Sequence, residues 1–260
     1  MTSPPMALIR QPAPRLAEGL ITHLDRVPVD YPLACGQWFS YVEALTAAGW
    51  QTIEVPPAPD CPDGVFVEDT VVMFGDTAVI TNPGARTRRP ETVSAAETLR
   101  GLNYRLEWIS AGTLDGGDVL KVGTTIYVGR TLRTNAAGVA TLRRICEPLG
   151  FKVIAVPVSK VLHLKSAVTA LPDGSIIGFP PLVDDPGFWP HFRPVPEESG
   201  SHVVDLGDGR LLMAASAPRS AELIADLGFT PVPVDISEFE KLEGCVTCLS
   251  VRLRNGPPEP

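Results

Sequence analysis

The sequence predicts an α/β protein built as a closed ring of five ββαβ units with pseudo-fivefold symmetry. Three observations lead there: apolar hairpins of period 2 recur along the chain, helix-compatible stretches follow most of them, and a short further strand comes after each helix. Hairpins begin near residues 71, 119, 168, 203 and 246, so the repeat spacing of 35 to 49 residues falls where repeat architectures are expected.

Four hairpins are continuous in sequence: VVMFGDTAVI from Val71, VLKVGTTIYV from Val119, VTALPDGSIIGF from Val168 and VVDLGDGRLLMAA from Val203, each turning at a short Gly-containing loop. A fifth assembles from CVTCLSVRL near the C-terminus and ALIRQP near the N-terminus, which pairs the chain ends and closes the ring. Apolar residues at spacings of three and four predict helices in PETVSAAETLRGL from Pro90, AAGVATLRRICEPLG from Ala136 and PRSAELIADLGF from Pro218, with QWFSYVEALTAAGW in the same slot of the first unit. The closing strands are QTIEVPP, RLEWIS, KVIAVPV and TPVPVD, and FRPVPE fills the one poorly helical unit.

The 260 residues are 44% apolar, enough for a substantial core, and their 27 prolines and 23 glycines are spread without a linker-like cluster. Residues 1–260 therefore read as a single domain. A net charge of −8 disfavours nucleic acid as a partner and suits a cationic small molecule. Five cysteines are an odd count for a disulfide framework and fit reducing conditions. Neither a signal peptide nor an apolar run of membrane-spanning length is present, so the expected location is cytoplasmic, with no membrane partner.

The residues with chemistry fall in the loops between one unit's last strand and the next hairpin. These loops carry Asp63, Glu68 and Asp69 in PDGVFVED, Asp115 and Asp118 in LDGGD, His163 in HLKS, and Cys248 in EGCVTCLS. In a ring, equivalent loops converge on the axis. A thiol beside an imidazole points to nucleophilic catalysis, because a base or cation is needed to make a thiolate near neutral pH. With four histidines and five cysteines such a pair is a weak signal by itself, and Cys248 in an apolar segment equally reads as a small buried hydrophobe. Carboxylates gathered at one end of the ring repel one another unless they receive a cation or share protons, although Asp-Gly pairs are also ordinary turn chemistry. Arg88 in GARTRRPE and Arg133 in LRTN offer forked donors for a carboxylate. A ligand with one cationic and one anionic end, such as a basic amino acid, fits that set.

PDGVFVED, ITNPGARTRRPE, LDGGDVLKVG, YVGRTLRTN, VLHLKSA and EGCVTCLSVRL, in this order between about Leu20 and Leu253, resemble the dimethylarginine dimethylaminohydrolase family of the guanidine-modifying superfamily, which includes the arginine deiminases. The resemblance implies a five-bladed α/β propeller and a hydrolase of linear amidine C–N bonds, converting methylated arginine to citrulline through an S-alkylthiouronium on the nucleophile, with no cofactor and no metal. It implies Cys248 as nucleophile, His163 as general acid and base, and Asp69 and Asp115 as carboxylates for the guanidinium. Asp63 and the backbone carbonyls of Leu20 and Leu242 would take the substrate α-amino group, Arg88 and Arg133 its carboxylate, and Glu68 a supporting place. Some members carry Glu where Asp115 stands. Cys245 completes a CxxC with Cys248 but lacks the second pair of a zinc site, and reads as incidental.

The competing readings are an arginine deiminase or other guanidine hydrolase, a non-catalytic amino-acid-binding protein, and a thiol redox protein using Cys245 and Cys248. Monomer and homodimer both remain open. The segment Thr22–Gly36, without clear periodicity, reads as a mobile cover over the site.

Overall fold

The structure, a computed structural model, describes residues 4–254. It opens with strand β1 (Met6–Ile9), helix α1 (Tyr31–Ala47) and strand β2 (Gln51–Glu54), where β2 lies parallel to β1. The second unit is the hairpin β3 (Val71–Phe74) and β4 (Thr77–Ile80), helix α2 (Glu91–Gly101) and β5 (Arg105–Trp108). The third is β6 (Val119–Val122), β7 (Thr125–Arg130), α3 (Ala136–Cys146) and β8 (Lys152–Pro157).

A single helical turn, α4 (Leu164–Ala167), leads into β9 (Val168–Ala170), β10 (Ile176–Gly178) and β11 (Phe192–Pro194). The fifth unit is β12 (Val203–Gly207), β13 (Arg210–Ala214), α5 (Pro218–Asp226) and β14 (Thr230–Val234). A second short turn, α6 (Ser237–Glu240), precedes β15 (Val251–Leu253), which runs antiparallel to β1 with Met6 opposite Leu253. The ring thus closes through the chain ends, as the repeat requires. In all five sheets the middle strand is antiparallel to the inner strand and parallel to the strand that follows.

Strand periodicity explains how separate sheets make one body. Successive side chains point to opposite faces, so Val71 and Met73 pack with Met6, Leu8 and Val251, while Val72 and Phe74 pack with Ile126 and Val128. The inner strands β3, β6 and β12 divide their residues in this way, while β9 and β15 each give one face to a core and place Thr169 or Arg252 on the other, and the five apolar cores lie between neighbouring units. Among the described residues the sheets share no hydrogen-bond ladder. Burial of these side chains, about 1.5–3 kcal/mol for each fully covered Leu, Ile or Val, therefore joins them, together with isolated bonds such as Trp50 Nε1 to the Leu206 carbonyl at 2.9 Å.

Two expectations shift. The first helix starts at Tyr31, because the Asp30 side chain accepts a hydrogen bond from the Leu33 N–H at 3.0 Å and Pro32 sits in the first turn. The end of the segment read as an aperiodic cover is consequently helix. The C-terminal strand begins at Val251 rather than near residue 246, because Cys245–Ser250 folds into turns, with the Cys248 N–H on the Cys245 carbonyl at 3.0 Å. In the fourth unit, 3₁₀ turns at Pro180–Leu182 and Pro186–Phe188 replace a helix, since prolines remove the donors a helix needs. Tyr127, Phe188 and Trp189 pack edge to face there.

A cavity of about 510 Å³ follows the axis, lined by all five inner strands. Glu68, Gly116, Lys165 and Thr247, from the loops that carry the chemistry, also line it. Among the described residues no helix is long and apolar enough to cross a membrane.

Candidate active site

Glu68, Asp69, Asp115, His163 and Cys248 stand a few residues ahead of inner strands, whereas Arg88 and Arg133 follow the middle strands β4 and β7. Glu68 and Asp69 sit in a 3₁₀ turn, Val67–Thr70, that runs directly into β3; Asp115 precedes the turn Gly116–Asp118 that runs into β6; His163 caps α4. Cys248 stands three residues ahead of β15, and its carbonyl accepts the Glu68 N–H at 3.2 Å. Ring geometry thus brings four loops together. Cys248, His163, Asp69 and Asp115 are all buried.

His163 Nε2 lies 3.0 Å from Asp115 Oδ2 and 3.9 Å from Asp69 Oδ1. Gly117 makes this approach possible. A methyl group there would stand 2.7 Å from both His163 Nδ1 and Asp69 Oδ1, while its own N–H donates to Asp69 Oδ1 at 2.8 Å. Gly116 is needed similarly, because its neighbour is the Glu68 carbonyl. Asp115 Oδ1 accepts the Gly84 N–H at 2.8 Å, so each carboxylate is fixed by backbone before any ligand arrives.

Burial works against a charged imidazole, but Asp69 and the hydrogen bond to Asp115 outweigh it and hold His163 up at about 9. Asp69 is also buried, yet His163 and Arg88 keep it well below the usual carboxylate range. Asp118, fully buried behind them, is pushed up to about 6 by burial, partly offset by His163 and by the Thr134 and Thr131 hydroxyls. Its carboxylate accepts from Thr131 Oγ1 at 2.7 Å and the Leu164 N–H at 2.9 Å, which positions the turn after His163.

The Cys248 thiol resists ionisation. Its hydrogen bond to Cys245, with Sγ atoms 3.3 Å apart, and then burial and the Glu68 and Asp69 carboxylates all hold its ionisation well above that of an ordinary cysteine. Tyr41 of α1 pins the same turn, its hydroxyl donating to the Val246 carbonyl at 2.9 Å and meeting Ser250 Oγ at 2.7 Å.

Arg88 and Arg133 differ. Arg88 donates to Asp69 at 2.6 Å, to both Glu91 oxygens at 2.9 and 3.1 Å, and to the Asp63 and Phe66 carbonyls. Its fork is occupied, and here it braces Asp69. Among the described residues the Arg133 guanidinium meets only Asp115, at 3.5 Å, and keeps donors free. Asp63 Oδ1 accepts the Leu20 N–H at 3.0 Å, and a side chain on Gly19 would reach both Asp63 and Leu242, so these three gather at one rim. The Glu243 carboxylate holds the N–H groups of Thr22 and His23, and Lys241 Nζ donates to the Pro28 carbonyl at 3.1 Å, tethering the segment over that rim.

Glu68 joins two cations that sequence reasoning did not single out: Lys165 Nζ at 2.6 Å and the Arg252 guanidinium at 2.8 Å. Both stand within the motifs HLKS and SVRL, and Glu91 within RRPE. Asp69, Asp115 and His163 offer atoms within 4.8 Å of one another, the spacing of a metal cluster. In this structure Asp69 Oδ2 holds Arg88, and Asp115 Oδ2 holds His163 and lies near Arg133. Guanidinium and imidazole are the counter-charges of this site.

Fold and loops together define a five-bladed α/β propeller with a buried thiol, imidazole and carboxylate group at one end of its axis. No protein-family model matches the chain. It is 67% identical over 95% of its length to the N(G),N(G)-dimethylarginine dimethylaminohydrolase of Streptomyces coelicolor, covering 96% of that protein. To the Pseudomonas aeruginosa enzyme of the same name it is 36% identical over 94% of the chain and 98% of the relative. A solved structure of that enzyme, a cysteine-to-serine variant complexed with citrulline, superposes with a TM-score of 0.88 at 34% identity, covering 97% and 99% of the two chains. The chain belongs to the N(G),N(G)-dimethylarginine dimethylaminohydrolase family.

Proposed function

We propose that this chain, acting as a single cytoplasmic catalytic domain over residues 1–260, hydrolyses Nω-methylated arginine to citrulline and dimethylamine or methylamine. The observation that carries the reading is the buried Asp69, Asp115 and His163 cluster beside the Cys248 turn. The activity of the relatives supports it. A delocalised guanidinium is a poor electrophile, so it must be held planar while a strong nucleophile approaches its face. Asp69 and Asp115 do the holding, with Arg133 on the substrate carboxylate, Asp63 and the Leu20 and Leu242 carbonyls on the α-amino group, and Arg88 keeping Asp69 in place. The incoming cation offsets the carboxylates that suppress ionisation of Cys248, so the thiolate forms when substrate is present and its proton passes to solvent. Its sulfur adds to the guanidinium carbon, protonated His163 donates to the departing amine, and an S-alkylthiouronium remains. The now neutral imidazole takes a proton from water, hydroxide adds to the same carbon, and citrulline leaves as the thiolate is restored.

The test is citrulline release from asymmetric dimethylarginine, monomethylarginine, arginine and agmatine offered separately. Preference for the methylated pair is expected; preference for arginine or agmatine would move the chain to a sister hydrolase activity. Gly117→Ala should lower kcat/KM about a hundredfold, because a displacement of the His163 imidazole against Asp69 of even an ångström misaligns proton transfer. Wild-type kinetics in that variant would show that the close packing on Gly117 does not set the catalytic geometry.

A further inference from the structure

Cys245 has a place in this site that its incidental reading misses. Cys245 and Cys248 end a four-residue turn closed by the Cys248 N–H on the Cys245 carbonyl at 3.0 Å, and such a turn keeps its ends within about 7 Å. That is the span a disulfide bridges. The two sulfurs already lie 3.3 Å apart, so a change in side-chain torsion brings them to bonding distance near 2.05 Å. We propose that Cys245 and Cys248 form a reversible disulfide in response to peroxide, a modification site that switches hydrolysis off. The consequence for activity rests on Cys248 being the nucleophile.

Reactivity, and a cavity at its side, favour Cys245 as the sulfur that meets the oxidant, although both sulfurs are buried. It borders a cavity of about 390 Å³ shared with His23, Ser166, His202, Glu240 and Glu243, outside the substrate cluster. The hydrogen bond from Cys248 holds its ionisation below that of an ordinary cysteine, against burial, with His202 and Thr247 adding support. The Cys245 thiolate attacks one peroxide oxygen, the O–O bond breaks, and the departing hydroxide takes a proton to become water, leaving a sulfenic acid. Cys248 sulfur then attacks that sulfur, and hydroxide leaves with the Cys248 proton as a second water. Two thiols lose two electrons and one peroxide gains them. A dithiol reductant reverses the step by thiol exchange.

The experiment treats the purified full chain with hydrogen peroxide, then follows free thiols, the mass of the peptide spanning Cys245–Cys248, and citrulline release. Two of the five thiols should disappear, the peptide should become lighter by two hydrogens, and activity should fall in step and return with dithiothreitol. Cys245→Ala and Cys245→Ser, each checked for folding by circular dichroism, should form no lighter peptide, and their peroxide inactivation should resist dithiothreitol. Oxygen addition at Cys248 without the lighter peptide in the wild type would overturn the proposal. So would reversible inactivation of the alanine variant matching the wild type. A disulfide that forms while turnover persists would overturn the switch and, separately, the assignment of Cys248 as nucleophile.

Discussion

Cys248→Ser should abolish turnover, lowering kcat on the order of 10⁵-fold, while asymmetric dimethylarginine still binds within a few fold of the wild-type affinity. Serine is close in size to cysteine, and the backbone bonds from residue 248 to Cys245 and Glu68 do not involve the sulfur. The groups expected to hold the ligand, Asp69, Asp115, Asp63 and Arg133, remain. What disappears is the ionisable sulfur. A hydroxyl in the same carboxylate-rich surroundings stays protonated even beside a bound cation, so no nucleophile reaches the guanidinium carbon. Citrulline release gives kcat, and calorimetric titration gives affinity. A variant retaining kcat within about tenfold would remove the covalent route, and a variant that neither binds nor turns over would show that the sulfur also holds the site together.

The architecture was legible because inner strands such as β3, β6 and β12 must serve two cores. Strict alternation, as in Val71, Val72, Met73 and Phe74, is legible for the same reason that it builds the ring. The segment before β15 broke the rule: CVTCLS is apolar because its turns are buried, and burial without alternation does not distinguish turn from strand. The start of α1 was written in Asp30 and Pro32, but the helical spacing that identifies a helix is clearer from Gln37 onward.

Candidate site residues were legible as loop motifs, and convergence of the loops followed from the ring. Partner choice among buried charges did not. Arg252 meets Glu68 across 184 positions, and no local pattern announces it. Arg88 shows the same limit. Its motif marks a site arginine, whereas its geometry, with Glu91 three residues on and Asp69 nineteen back, makes it a brace for a carboxylate. A buried guanidinium in contact with carboxylates and carbonyls has little freedom to turn toward a ligand, and Arg133, with one long contact, has more.

His163→Asn should lower kcat about a thousandfold, since a positioned acid and base contributes roughly 10²–10⁴. It should also change the protein's response to pH. In the folded chain His163 stays protonated up to about 9, against 6.5 for an ordinary histidine, despite burial, because of Asp69 and Asp115. Between those values the folded state binds a proton that the unfolded state lacks, so stability must fall as pH rises through the window. The contribution is complete below about 6.5 and is lost as pH passes about 9; its size is on the order of 3 kcal/mol. The part of the Asp69 depression that comes from His163 reflects the same interaction and is not added to it. Urea denaturation of wild type and variant at intervals from pH 6.5 to 9 isolates the effect: the wild type should weaken along the series, and the asparagine variant should lose that part of the slope. Equal slopes in the two proteins would mean that His163 is neutral in the folded resting enzyme. The first proton transfer would then run from Cys248 to the imidazole, and the leaving amine would receive the thiol's own proton.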